Sequence, residues 1–232
     1  MIRIRRSLDR GFEDKGWLKT YHTFSFDSYY DPEFQGIRQV LVINEDTIQG
    51  GKGFGSHSHK DMEILTYVLE GVLEHQDSLG NTNVIRPDEV QRMTAGTGIT
   101  HSEYNLSHHH PVHFLQIWIR PEQNGLEPSY AKKSFSSASK WGQWCLLCSR
   151  NGRDGSLRIH QDVDLYATLL DDNDEIRFEA LIDRFFWVHV ISGKFLVQET
   201  VMEAGDGAYL QDESTIEIHC LTSGELLLFD LA

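Results

Sequence analysis

Apolar residues recur along the chain in short runs, not at helical intervals. RQVLVI (38–43), EILTYVL (63–69), VHFLQIWI (112–119), SLRIHQ (156–161), FFWVHVI (185–191), KFLVQ (194–198), TIEIHC (215–220) and LLLFDL (226–231) are mostly rich in Val, Ile, Leu and aromatics. Turn residues separate them: EG at 70–71, SLGN at 78–81, SG at 192–193 and AGDG at 204–207. Runs of this kind bounded by turn chemistry predict β-strands. No window of about a dozen residues keeps a 3.6-residue period with caps, so helix is confined to a turn or two around 128–141. The chain reads as all-β, and many short strands suggest barrels or sandwiches.

The pattern also repeats. A strand reaches LEG (69–71), a hairpin follows, then PDEVQRM (87–93); in the second half a strand reaches ISG (191–193), a hairpin follows, then AGDGAYL (204–210). Two small β-barrels on one plan are expected, over residues 1–135 and 136–232. Charge supports a division. Of a net charge of −14, most sits in the last 82 residues, with 17 acidic side chains against 5 basic. A chain this acidic repels phosphate backbones, so no direct nucleic-acid partner is expected. With no long apolar run and no leader-like segment behind MIRIRRSLDR, no membrane association is expected, and a cytoplasmic location is. Cys145, Cys148 and Cys220 are too few for a disulfide framework, and the C-x-x-C falls in an apolar strand pattern with no further ligands near it.

Histidine changes the picture. Of 12 in the chain, eight fall from His57 to His113. In a strand, residues i and i+2 face the same way, so HSH places His57 and His59 together and HSE places His101 and Glu103 together. Two such strands can converge on one metal as three imidazoles and a carboxylate. That donor set suits Fe(II), Mn, Ni, Cu or Zn, and on an octahedral ion leaves two positions open for substrate or dioxygen. Phe54, Met93, Phe114 and Trp118 are the apolar candidates for a pocket beside it. The run His108–His110 precedes a proline and reads as an exposed loop. His22, His75 and His160 read as structural.

Gly51, His57, His59, Glu63 and Gly71 stand close to the spacing of the first cupin motif, and Gly98, His101 and Asn105 match the end of the second. More narrowly, HTFSFDSYYDPEFQG (22–36), HSHKDMEILTYVLEG (57–71), HQDSLGN (75–81), MTAGTGITHSEYN (93–105) and GSLRIHQD (155–162) resemble the pirin family. The resemblance implies a bicupin, two face-to-face jelly-roll-like barrels with little helix and a metal only in the N-terminal one. It carries the ligand roles onto His57, His59, His101 and Glu103, and leaves Glu63 off the metal, beside the site or as a structural partner. Fe(II) is the implied ion, with Zn, Ni, Mn, Cu or Cd possible in the same donors. The implied activity is quercetin 2,3-dioxygenase-like: a flavonol-like aromatic substrate opened with O2 and carbon monoxide released, with Glu103 as catalytic base. The alternative is a metal-dependent, redox-sensing regulatory protein that binds a protein partner. A monomer is expected. One departure is Pro87-Asp88-Glu89, where the family usually has Pro-Gly-Asp, so a differently shaped turn is expected there.

Offsets carried into the second half place Glu179 and Leu181 where His57 and His59 stand, and Ile218 and Cys220 where His101 and Glu103 stand. The second barrel is therefore expected to lack the ligand set.

Overall fold

The computed structural model describes residues 2–181 and 183–232. Strands dominate it, as the runs predict. The only α-helix among the described residues is the single turn Ser137–Lys140, capped by Ser136, whose side chain accepts from the Ser139 N–H. The chain forms two compact units. One comprises Gly11–Ser134 with Ile159–Gln161; the other comprises Met1–Arg10, Phe135–Arg158 and Asp162–Ala232.

The first unit holds two antiparallel sheets. The larger runs in the order Ser129–Ser134, Glu89–Thr94, Glu63–Glu70, Val112–Ile119, Val40–Ile48, Leu18–His22, Gly11–Asp14. The smaller runs Gly53–His59, Ile99–Asn105, Leu73–Asp77, Thr82–Ile85. Leu18, Ile48, Val68, Val112 and Phe114 from the larger sheet pack with Leu73 and Ile85 from the smaller, so this core lies between the two. Alternation sets what faces inward: Leu18, Thr20 and His22 are buried while Lys19 and Tyr21 between them are exposed. Polar Thr20 and His22 thus enter the interior along with leucine.

SLRIHQ forms a strand only at Leu157–Arg158. Ile159–Gln161 leaves the ladder, because its hydrogen bonds go elsewhere in the first unit. The His160 carbonyl accepts from the Glu122 N–H at 2.7 Å, and the Gln161 amide donates to the Arg120 carbonyl at 2.8 Å.

In the second unit the expected pairs of short strands are continuous. Phe185–Val197 runs through the Ser192-Gly193 turn signal, and Thr215–Leu231 runs through Ser223-Gly224. Register shifts at Val190/Ser192, Ser192/Lys194 and Lys194/Phe195 bend the strands there without ending them. Gly193 has φ +81°, and a Cβ on it would lie 2.5 Å from the Thr222 carbonyl oxygen, so close backbone approach, not a hairpin, is what the glycine serves. The interior is apolar, with Phe186, Val188, Val190, Phe195, Ile218 and Cys220 among its fully buried members.

The Pro87-Asp88-Glu89 turn has a left-handed residue at its centre. Asp88 takes φ +66°, the left-handed conformation that glycine adopts most cheaply. A short polar side chain tolerates that region at modest cost.

Candidate metal centre

The site is built on three neighbouring strands of the smaller sheet. His101 pairs with His57 on one side and with Asp77 on the other, and Glu103 pairs with His75. Directly opposed residues on adjacent strands share a face. His57, His59, His101 and Glu103 therefore lie together, and His75 and Asp77 join them. A bulge between His101 and Glu103 brings Phe54 opposite Glu103. Close packing at that bulge is why Gly53 stands there: a Cβ on it would lie 2.1 Å from the Glu103 carbonyl oxygen.

The imidazoles converge. Ring centroids are 4.4 Å apart for His57 and His101, 4.9 Å for His57 and His59, and 5.0 Å for His59 and His101. One nitrogen from each lies within 4.8 Å of the others, and one nitrogen each of His75 and His101 and a carboxylate oxygen of Glu103 lie equally close together. Each orientation has a visible cause. His57 Nδ1 lies 2.8 Å from the Gly55 carbonyl, which can only accept, so the proton is on Nδ1 and the Nε2 lone pair is free. His59 stands edge-on to Trp118 at 4.8 Å. The Gln116 amide donates to both oxygens of Glu103, at 2.7 and 2.8 Å.

Electrostatics favours neutral donors. Burial first, and His57 second, push the His59 pKa down to about 4. Burial, with His57, His59 and His75 adding to it, pushes His101 down to about 2. Burial pushes Glu103 up to about 8, against the hydrogen bonds of Gln116 and Thr66 and with the Asp46 charge adding to it. His101 Nε2 is buried and has no hydrogen-bond partner. A buried polar atom left bare is costly. A cation placed among the imidazoles would satisfy it, and would hold Glu103 ionised. The donor set fits a divalent metal ion.

A cavity of about 210 Å³ opens onto these groups. Phe54 and Trp118 line it; Phe26, Leu18 and Ile64 add to its apolar wall, and His22, Asp46 and Gln116 supply polar groups. Met93 and Phe114 do not reach it: both are fully buried in the hydrophobic cores. Glu63 is also elsewhere. Ile64 faces the cavity, so its neighbour faces away, and Glu63 accepts from Thr94 Oγ1 at 3.2 Å and lies 3.2 Å from His160 Nδ1. Burial raises its pKa, opposed by Arg92 and His160. It anchors the 159–161 segment. Three residues read as structural, or not singled out, belong here instead. His22 lines the cavity, its Nδ1 held 2.9 Å from Asn44 Oδ1. His75 Nδ1 lies 3.3 Å from His101 Nδ1, and Asp77 holds the other nitrogen of His75. HQD at 75–77 repeats the i, i+2 spacing of HSH and HSE, which is the signal that could have found the last two.

Comparison with known proteins agrees with this geometry. The pirin family matches residues 2–119, and the family described as quercetinase C-terminal cupin domain matches residues 146–231. A quercetin 2,3-dioxygenase of Escherichia coli K12 is 46% identical over 231 residues, covering 100% of this chain and 99% of that protein. A pirin-like protein of Caulobacter vibrioides is 38% identical, covering 98% and 99%. The crystal structure of a bacterial pirin from Escherichia coli in complex with nickel(II) superposes with a TM-score of 0.95 at 45% identity, covering 100% of this chain and 99% of that one. With two cupin-type domains, a convergent imidazole cluster and full-length similarity to these proteins, the chain belongs to the pirin family.

Proposed function

We propose that the chain is a metal-dependent dioxygenase that opens the C ring of a flavonol such as quercetin with O2 and releases carbon monoxide. His57, His59, His101 and Glu103 hold one divalent ion in the N-terminal domain, Fe(II) in the cytoplasm, where the chain acts as a monomer. Zn, Ni, Mn, Cu or Cd can take the same donors. The observation that carries the reading is the placement of neutral imidazoles and a buried carboxylate on the wall of an aromatic-lined cavity.

When bound, the ion supplies Lewis acidity that lowers the pKa of the flavonol 3-hydroxyl. The chain's own residues do the remainder. Phe26, Phe54 and Trp118 offer flat apolar surface to a planar polyphenol. Glu103, which a bound ion would hold ionised, stands on the cavity wall as the group to accept the 3-hydroxyl proton. Gln116 keeps both carboxylate oxygens in place during that transfer. His22 and Asp46 present polar atoms to the ring hydroxyls.

The test follows dioxygen uptake and carbon monoxide release by Fe(II)-loaded protein over a panel of flavonols. Coupled uptake and release are expected from the wild type, and neither from His59→Ala or Glu103→Ala. Metal-loaded wild type that consumes no dioxygen with any flavonol would overturn the activity. Activity that survives loss of His59 would overturn the metal's part in it.

A further inference from the structure

Behind the imidazole cluster, on the side away from His57, a line of buried side chains leads from the Asp77 turn to His101. Asp77 Oδ1 accepts the Leu79 N–H at 2.9 Å and the Asn81 N–H at 3.0 Å, and the Asn81 amide donates to both of its oxygens. Asp77 is thus surrounded by donors and acts as an acceptor. Its Oδ2 lies 3.0 Å from His75 Nε2, with both side chains wholly buried, so the shared proton sits on His75 Nε2. In a neutral ring that leaves His75 Nδ1 as an acceptor. It faces His101 Nδ1 at 3.3 Å, which must then carry the proton. The Tyr130 ring stacks on His75 at 4.9 Å and 29°, holding the imidazole in plane. The end of the line is His101 Nε2, the buried atom that no group of the protein satisfies.

We infer that Asp77 and His75 are positioning residues that fix the proton of His101 on Nδ1 and so present the Nε2 lone pair to the space between His57 and His59. The inference rests on the metal-site reading above for its purpose, but the tautomer is a property of the metal-free protein. Direction is set at Asp77: an acceptor there sends every proton in the line away from the imidazole cluster. A donor at the same place would reverse it. Partners of this kind orient a ligand and tune its basicity, and their loss costs about 10- to 100-fold in metal affinity.

Asp77→Asn is the discriminating variant. Its amide oxygen can keep the Leu79 and Asn81 contacts at Oδ1, while its NH2 faces His75 Nε2. The His75 proton then moves to Nδ1, and His101 is protonated on Nε2. Histidine ¹⁵N NMR on the metal-free protein reads the tautomer, and competition with a chelator reads nickel(II) affinity. The wild type is expected to show His101 protonated on Nδ1. Asp77→Asn is expected to show the reversed tautomer and nickel(II) binding about 10- to 100-fold weaker. A wild type with the His101 proton on Nε2 overturns the inference and needs no folded variant to do so. An Asp77→Asn protein with wild-type tautomer and affinity overturns it as well. A wild type that shows the Nδ1 tautomer yet binds no divalent ion supports the line of hydrogen bonds and overturns the metal reading instead.

Discussion

The two units fill their interiors in opposite ways. In the first, one sheet face carries His57, His59, His101, Glu103, His75 and Asp77, and a cavity opens onto it. In the second, the interior is closed by Phe186, Val188, Val190, Phe195 and their neighbours, and the positions at the offsets of His101 and Glu103, Ile218 and Cys220, are buried among them. The strands are alike in kind. What differs is that three polar groups of the first unit's cluster are held by neighbours placed for them: Gly55 for His57, His75 for His101, Gln116 for Glu103. Such a face survives burial only with those partners, and a few apolar replacements turn it into ordinary core.

The comparison can be broken from either side. The largest effect on folding is expected in the second unit. Phe195→Ala removes a fully buried ring and is expected to cost about 3–5 kcal/mol by denaturant unfolding, with metal content unchanged in the protein that remains folded. An equally large loss of metal would mean that the second interior takes part in building the site.

The next effect is on pH dependence, and its largest carboxyl shifts belong to the first unit. Glu103 and Asp46 have folded pKa values of about 8 and about 7, above the ordinary 4.5 and 3.8. Folded, metal-free protein therefore holds more protons than the unfolded chain in that window, and these groups lower stability as pH rises through it. His59 and His101, lowered to about 4 and about 2 from 6.5, act in the other sense and add stability as pH rises toward 6.5. Of these four groups, only the two carboxyls still change charge between about 6.5 and about 8. The thermal midpoint of metal-free protein is expected to fall across that interval, and to fall less with Glu103→Gln. A midpoint that rises there would contradict the assignment of both carboxyls.

The smallest effect is expected at the Asp88 turn. Asp88→Gly relieves a left-handed residue and is expected to change stability by less than about 1 kcal/mol, with metal affinity unaltered.

Alternation and spacing made part of this visible without coordinates. The HSH and HSE pairs read correctly as sharing faces because a strand has a period of two, and VHFLQIWI coincides with the strand Val112–Ile119. Register was not legible. That His101 would stand between His57 and Asp77, and Glu103 beside His75, depends on which strands pair, and nothing local encodes it. Gln116 and Asp46 were missed too: Gln116 sits inside the apolar run 112–119 and Asp46 in the polar stretch that follows the run 38–43, and neither spacing shows that it lines the cavity. Whether Glu63 stands beside the site or serves as a structural partner was not legible from motif spacing, which says nothing about which face a residue takes. The strands Phe185–Val197 and Thr215–Leu231 ran past their turn signals because bulges can absorb a glycine that a hairpin would otherwise use.

The central claim is one metal position, in the first unit, held by the imidazole cluster. Metal-to-chain ratio after Fe(II) or nickel(II) loading and desalting tests it most directly, in the wild type and in a His57→Ala/His59→Ala double variant. The account predicts one ion per chain in the wild type and none in the double variant. A ratio of one in the double variant, or two in the wild type, would contradict it.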